Sequence, residues 1–189
     1  MALNNGQEIN YEGLSSDCGV PARTLEGHIE VLKDTLIGFE LMPLTKTIKR
    51  KAISRSKFYF FDTGISNFLG QKLPLNEGAK DLGISFEQFI INEVKAYLSY
   101  SRKNHSLCYW RSRTHEVDLI VGKSLAIEIK LSQNFKPEFF NGLRALREEN
   151  LIESYLVIGR FPREGSLDGI RYMGYETFLK QLWTHQFNL

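Results

Sequence analysis

The chain has 189 residues, 42% hydrophobic and 24% charged, with only 15 Gly and 5 Pro. That composition supports one medium domain or two small ones with true cores and excludes a disordered chain. A net charge of +2 is too small to identify a nucleic-acid binder, so local clusters have to carry any such reading.

The two cysteines, Cys18 and Cys108, are far apart and have no partners at zinc spacing, so neither a disulfide scaffold nor a structural zinc is indicated. No apolar run approaches the roughly 20 residues of a membrane helix, and the start "MALNNGQEIN" lacks the basic and apolar regions of a signal peptide. The expectation is a protein of the reducing cytoplasm with no membrane partner.

In chain order, "LSSDCGVPARTLEGHIEVLKDTLIGFELMPL" predicts a short helix capped by Ser15 or Ser16 and a turn at Gly19. A longer helix follows, with Pro21 at its first position. Leu25, Ile29, Leu32 and Leu36 form its apolar stripe. An extended "FELMPL", a loop holding Lys46, Lys49, Arg50, Lys51, Arg55 and Lys57 with no acid between them, and a strand "KFYFFD" come next. Helix, turn, helix and a hairpin with a basic tip is the order of a winged helix. If this part meets DNA, Arg23, Thr24 and His28 on the long helix and Lys49, Arg50 and Lys51 in the wing are the candidate contacts. The alternative is a solvated helix face and a soluble hairpin tip.

Gly, Pro, Asn and charge gather in "LGQKLPLNEGAKDLG", predicting a linker over residues 70–82 between a winged-helix module at 1–69 and an α/β module at 83–189. The second module opens with a helix over "ISFEQFIINEVKAYLSY", where Phe86, Ile90, Val94 and Tyr97 recur at helical spacing, Phe89 widens the stripe, and Glu87 sits on its shoulder. Strands follow at about 106–111, 115–121 and 125–131, then a helix at about 137–149, strands "SYLVIG" and "IRYMG", and a final helix "YETFLKQLW". This order predicts a mixed sheet flanked by helices.

The hairpin "HEVDLIVGKSLAIEIKLS" carries Asp118, Glu128 and Lys130 among apolar residues. A three-residue loop, Gly122-Lys123-Ser124, pairs Leu119 with Ile127 and Asp118 with Glu128. Only this choice puts Val117, Leu119, Val121, Leu125, Ile127, Ile129 and Leu131 on one face. Two opposed carboxylates repel unless a cation lies near them. Their hard oxygens suit Mg²⁺ or Mn²⁺, with Lys130 placed to orient a water or stabilise charge on a phosphate and Glu87 able to join as a further ligand. The competing reading is a half-exposed strand whose acids are screened by Lys130, Lys123 or Arg113.

"FE" at 86–87, "EVDLI" at 116–120 and "IEIK" at 127–130 resemble the PD-(D/E)xK nuclease-like superfamily, whose core has the same α-β-β-β-α-β order. The chain is also similar to the C-terminal region of the archaeal-type AAA ATPase family, through "GVPARTLEGHIEVLKD", "KFYFFDTGISNFLG", "FEQFIINEV" and "YWRSRTHEVDLIVG". In that family a nucleotide-binding domain precedes a winged helix and a nuclease-related domain of unknown function. The resemblance implies a restriction-endonuclease-like sheet, with Asp118, Glu128 and Glu87 as metal ligands and Lys130 as the lysine of a Mg²⁺- or Mn²⁺-dependent DNA nuclease site. It also implies a missing N-terminal ATPase domain and a first module that lacks its opening helix. Gly122-Lys123-Ser124 resembles the end of a phosphate loop, but Val117 stands where such a loop needs its first Gly, so no nucleotide is expected here. The alternative function is a catalytically inactive winged-helix and nuclease-like module for DNA or protein binding. Homo-oligomerisation is left open.

Overall fold

The structure is a computed structural model describing residues 1–73 and 80–189. A single 3-10 turn at Ala2–Asn4 leads to Asn10, whose side chain accepts from the Gly13 N–H and opens α1 (Tyr11–Cys18). The cap expected at Ser15 or Ser16 is therefore corrected to Asn10, and both serines lie inside the helix. Gly19 ends α1 at φ +70°, a left-handed conformation that suits glycine. Pro21 is the cap before α2 (Ala22–Asp34) and not its first residue. Ile29 is the buried residue of α2, and Leu25 and Leu32 are half-buried. Leu36 departs from the expected stripe. It lies past the helix end at φ 60° and is 80% exposed, because Ile37 N–H turns back onto the Leu32 carbonyl and sends the chain into a strand.

That strand, β1 (Gly38–Pro43), pairs antiparallel with β2 (Lys57–Phe60). A helix absent from the sequence reading, α3 (Thr63–Leu69), follows, capped by Asp62 Oδ1 accepting from Ile65 N–H at 2.8 Å. Residues 74–79 of the expected linker lie outside the described residues, and α4 (Lys80–Tyr100) begins within its remaining span. The expected stripe of α4 is present: Ile90, Val94 and Tyr97 are fully buried, with Phe86 and Phe89 packed beside them.

The strands β3 (Leu107–Arg111), β4 (Glu116–Val121) and β5 (Leu125–Ile129) form an antiparallel meander. A 3-10 turn at Pro137–Phe140 and α5 (Asn141–Arg147) replace the single helix expected over 137–149. Then come β6 (Ser154–Gly159), a short β7 (Gly165–Leu167), β8 (Ile170–Gly174) and α6 (Tyr175–Trp183). β6 lies parallel to both β5 and β8.

Among the described residues, eight strands join one mixed sheet in the order β2-β1-β3-β4-β5-β6-β8-β7. The hairpin of the first region is thus continuous with the sheet of the second through the parallel pairs Met42–Cys108 and Pro43–Tyr109. On one face, α4 and α6 pack Ile90, Ile91, Val94, Phe178 and Leu182 against Leu119, Ile127 and Leu156. On the other, α5 and its preceding turn bury Phe140, Leu143 and Leu146 against Trp110, Ile120 and Val157. A third, smaller core gathers Ile9, Ile29, Phe58 and Phe60 under α1 and α2.

The β4–β5 turn is the three-residue one the apolar pattern selects: Leu119 faces Ile127 and Val121 faces Leu125. Two members of the expected face depart from it: Leu131 lies past the end of β5, half-buried and outside that core, and Val117 changes face. Between the pairs Cys108–Ile120 and Trp110–Val117, β4 advances three residues while β3 advances two. This bulge reverses the alternation, so Val117 joins the α5-side core with Ile120.

Candidate functional site

The bulge in β4 re-aims Glu116 and Asp118 at the sheet edge where β4 and β5 separate. The ladder is continuous to Leu119–Ile127. One step on, Asp118 Oδ2 takes the Ile129 N–H at 2.7 Å, a buried bond that replaces a ladder contact and fixes the carboxylate. Lys130, held by its own N–H on the Ile158 carbonyl, returns its ammonium to Glu128 Oε1 at 2.6 Å and to Asp118 Oδ2 at 3.6 Å. Asp118, Glu128 and Lys130 therefore meet, as the hairpin register requires. Glu128 Oε2 is buried and has no hydrogen-bond partner among the described residues. A close approach of α5 covers this corner. A Cβ on Gly142 would lie 2.0 Å from the Glu116 carbonyl oxygen and 3.4 Å from Glu128 Oε2.

Glu87 reaches the same region from α4 but is held by other groups. Its Oε1 accepts from Tyr59 O–H at 2.5 Å and lies 3.4 Å from Lys57 Nζ. Lys57 also sits 2.5 Å from Glu116 Oε1, and its ammonium lies 5.1 Å from the centre of the Tyr109 ring. Arg111 closes the rim with ion pairs to Glu116 and Glu8. Among the described residues, no three His, Cys, Asp or Glu side chains are gathered so as to hold a metal ion together. The trio Asp118, Glu128 and Glu87 is thus split into a pair joined through Lys130 and a third carboxylate held by β2.

Electrostatics follow from this crowding. Burial, reinforced by Asp118, pushes the Glu128 carboxyl well above its ordinary range against the pull of Lys130. Burial and Asp118 raise Glu87 as well, opposed by Lys57 and Tyr59. Burial works against the two ammonium groups, but the carboxylates outweigh it. Lys57 is held above the ordinary lysine value by Glu87, Asp118 and Glu116, and Lys130 by Asp118 and Glu128. Four carboxylates, Glu87, Glu116, Asp118 and Glu128, share two lysines. The cluster therefore favours additional positive charge, as protons or as a cation.

A groove of about 620 Å³ opens beside the cluster, bounded by Lys80, Glu87, Lys130, Ser132, Gln133 and Arg160. Of the cluster, Glu87 and Lys130 line this groove, while Asp118 and Glu128 lie behind Lys130. One orphaned carboxylate oxygen, Glu128 Oε2, beside the anchored Asp118 is a hard-oxygen donor set of the kind that suits a divalent cation. The donors on hand are Asp118 and Glu128.

Lys57 is a member of the charged cluster that the sequence reading placed only in the basic loop. It belongs to a basic run, yet its side chain is only 5% exposed and points into the acids. Every residue of β2 is buried, so strand alternation does not single it out, and its partners Glu87 and Glu116 come from distant elements. The expected DNA contacts lie elsewhere. Arg23, Thr24 and His28 are exposed on α2, and Lys49 and Lys51 are exposed on the β1–β2 loop. Arg50 is committed to α5, donating to the Ala145 carbonyl at 3.0 Å and to Glu148 at 2.9 Å. Glu149 accepts the N–H groups of Ile48, Lys49 and Arg50 at 2.6, 2.8 and 3.0 Å, so the loop is docked on the second region. No helix among the described residues is long and apolar enough to cross a membrane.

No curated protein and no solved structure matches the chain significantly. Two family models match, both described as domains of unknown function: DUF8612 over residues 1–87 and DUF4143 over residues 82–172. Their ranges overlap at the start of α4, and Glu87 falls in the overlap while Lys57 and Tyr59 fall in the first and Asp118, Glu128 and Lys130 in the second. Two domains of unknown function, DUF8612 and DUF4143, are thus found side by side in this chain, and their residues meet at one acidic site.

Proposed function

We propose that the acidic corner of β4 and β5 is a divalent-cation-dependent nuclease-like site acting on DNA phosphodiesters. The observation that carries this reading is the buried, unpartnered Glu128 Oε2 beside the backbone-anchored Asp118, both joined through Lys130, which lines an open groove. In this reading Asp118 and Glu128 hold Mg²⁺ or Mn²⁺, which would supply Lewis-acid activation of a phosphate and its attacking water. Asp118 contributes a carboxylate pre-oriented by the Ile129 N–H. Lys130, which pairs with Glu128 and lines the groove, would stabilise charge on a phosphoryl oxygen there. Glu87, which lines the groove and interacts electrostatically with Asp118, would act through a bound water.

The same proposal reads the first region as a winged helix, with Arg23, Thr24, His28, Lys49, Arg50 and Lys51 near DNA, and the second as a restriction-endonuclease-like fold. DUF4143 is commonly a C-terminal domain of AAA ATPase-like proteins, which supports reading this chain as the companion of an ATPase domain in the cytoplasm. A second reading, a non-catalytic module for DNA or protein binding, is favoured by the ion pairs themselves. Lys130 on Glu128 and Lys57 on Glu116 already neutralise much of the cluster.

Calorimetric titration of Mn²⁺ and Mg²⁺ separates the two, with Asp118→Asn as control, followed by cleavage assays on duplex, single-stranded and branched DNA. Saturable binding lost in Asp118→Asn, with metal-dependent cleavage lost in Lys130→Met, supports the nuclease-like site. Absence of binding at millimolar metal leaves the non-catalytic module.

A further inference from the structure

Lys57 is an expensive residue to bury. A lysine withdrawn from water needs partners that outweigh desolvation, and it forgoes the side-chain entropy it would keep at the surface. Its neighbours on the loop, Lys49 and Lys51, remain exposed, whereas Lys57 spans from β2 to Glu87 at 3.4 Å and Glu116 at 2.5 Å. Tyr59, two residues along the same strand and on the same face, donates its hydroxyl to the same Glu87 oxygen at 2.5 Å. Both residues therefore hold Glu87, the carboxylate that would complete a trio with Asp118 and Glu128 and is not gathered with them.

We infer that Lys57 and Tyr59 are positioning residues of this site: Lys57 is its built-in counter-cation, and together they withhold Glu87 from a divalent ion. This rests on the reading of Asp118 and Glu128 as a cation-binding pair. The first domain of unknown function thereby sets the cation affinity of a site whose ligands lie in the second. Removing the Lys57 ammonium leaves Glu87 held by Tyr59 and Glu116 by Arg111 and deletes a competing positive charge, so the remaining carboxylates attract Mn²⁺ more strongly. Removing only the Tyr59 hydroxyl frees one lone pair of Glu87 without changing the charge.

The test is Mn²⁺ titration by calorimetry of the full chain against Lys57→Met, Tyr59→Phe and the charge-balanced double variant Lys57→Met with Glu116→Gln. Folding of each is checked by circular dichroism, and its melting temperature is recorded without metal. The expected result is Mn²⁺ binding about tenfold or more tighter in Lys57→Met, given two carboxylates within about 4 Å of the lost charge. Tyr59→Phe should bind a few-fold tighter, and the double variant should fall between the parent chain and Lys57→Met. A purely structural ion pair would lower the melting temperature and leave the affinity unchanged or weaker, and that pattern overturns the inference while Asp118 and Glu128 keep their role. Should Lys57→Met fail to fold, Tyr59→Phe and the double variant decide the matter by the same comparison. Absence of Mn²⁺ binding in the parent chain and in every folded variant overturns the cation-site reading and this inference with it.

Discussion

Replacing Glu149 by Gln tests how the basic loop is held. The carboxylate receives three backbone N–H groups, from Ile48, Lys49 and Arg50, shared between its two oxygens, with the Arg50 guanidinium 3.9 Å from one of them. The amide keeps one acceptor oxygen and turns an N–H₂ group toward at least one of those donors. Hydrogen bonds to a charged acceptor contribute about 1.5–3 kcal/mol each, and losing one outright while weakening the others gives a loss of about 2–4 kcal/mol. For a chain of this size each kcal/mol lowers the melting temperature by roughly 2–4 °C, so a fall of about 4–16 °C is expected.

The pH dependence gives a second check. Burial opposes ionisation of Glu149, but the N–H groups of Lys49, Ile48 and Arg50 outweigh it and hold the carboxyl below its ordinary value. A depressed folded-state pKa means the stabilisation is complete above the unfolded value of about 4.3 and is lost as pH falls through the lower folded value. The gap between the parent chain and Glu149→Gln should therefore be widest at neutral pH and close in acid. Melts followed by circular dichroism, with trypsin cleavage at Lys46, Lys49 and Lys51 as a local probe, measure both. Equal melting temperatures and equal cleavage at pH 7 would refute the docking of the loop by this carboxylate.

Three further outcomes are expected. Gly142→Ala puts a methyl 2.0 Å from the Glu116 carbonyl oxygen, a backbone atom that cannot yield locally. The helix has to move, and urea denaturation should show a loss of about 2–4 kcal/mol despite the better helix propensity of alanine. Gln88→Leu keeps the size but removes the amide that accepts from Asn5 and Ser66 and donates to the Phe60 carbonyl, all of them buried. The orphaned partners should cost about 2–4 kcal/mol in the same assay, more than an exposed amide would. Thiol labelling at pH 8 should show one fast cysteine and one slow: Cys18 is exposed, while burial pushes the Cys108 thiol up to about 11 and suppresses its thiolate.

Much of the second region was legible because its strands obey a strict two-residue period. The apolar pattern of β4 and β5, read on Leu119, Val121, Leu125 and Ile127, has only one register that keeps charge out of the core, and the observed pairs follow it. The same register brought Asp118 to Glu128 and Lys130. Val117 escaped because a bulge is an inserted residue with no apolar signature, and the alternation on either side of it looks unbroken. α3 escaped because seven residues are too few to display a helical period, although Asp62 was a readable cap. Lys57 was hidden by its company: in a run of lysines and arginines nothing local distinguishes the one that turns inward, since its partners Glu87 and Glu116 lie 30 and 59 positions away in sequence (87 − 57 and 116 − 57).

The pairing of β1 with β3 has a mechanical consequence. Only two residue pairs, Met42–Cys108 and Pro43–Tyr109, zip the two regions along their strands, and the Leu44 and Ile53 N–H groups add bonds to the Tyr109 and Arg111 carbonyls. A pull along β1 loads these bonds in parallel, as a shear, so they resist together and do not peel one by one. A neighbouring domain that tugged on the first region would drag β3, and with it the strand beside the acidic corner, instead of swinging the first region about a hinge. Conversely, cutting the chain between 73 and 80 should leave two pieces that each expose a raw sheet edge, suited to rejoining in trans as a split protein.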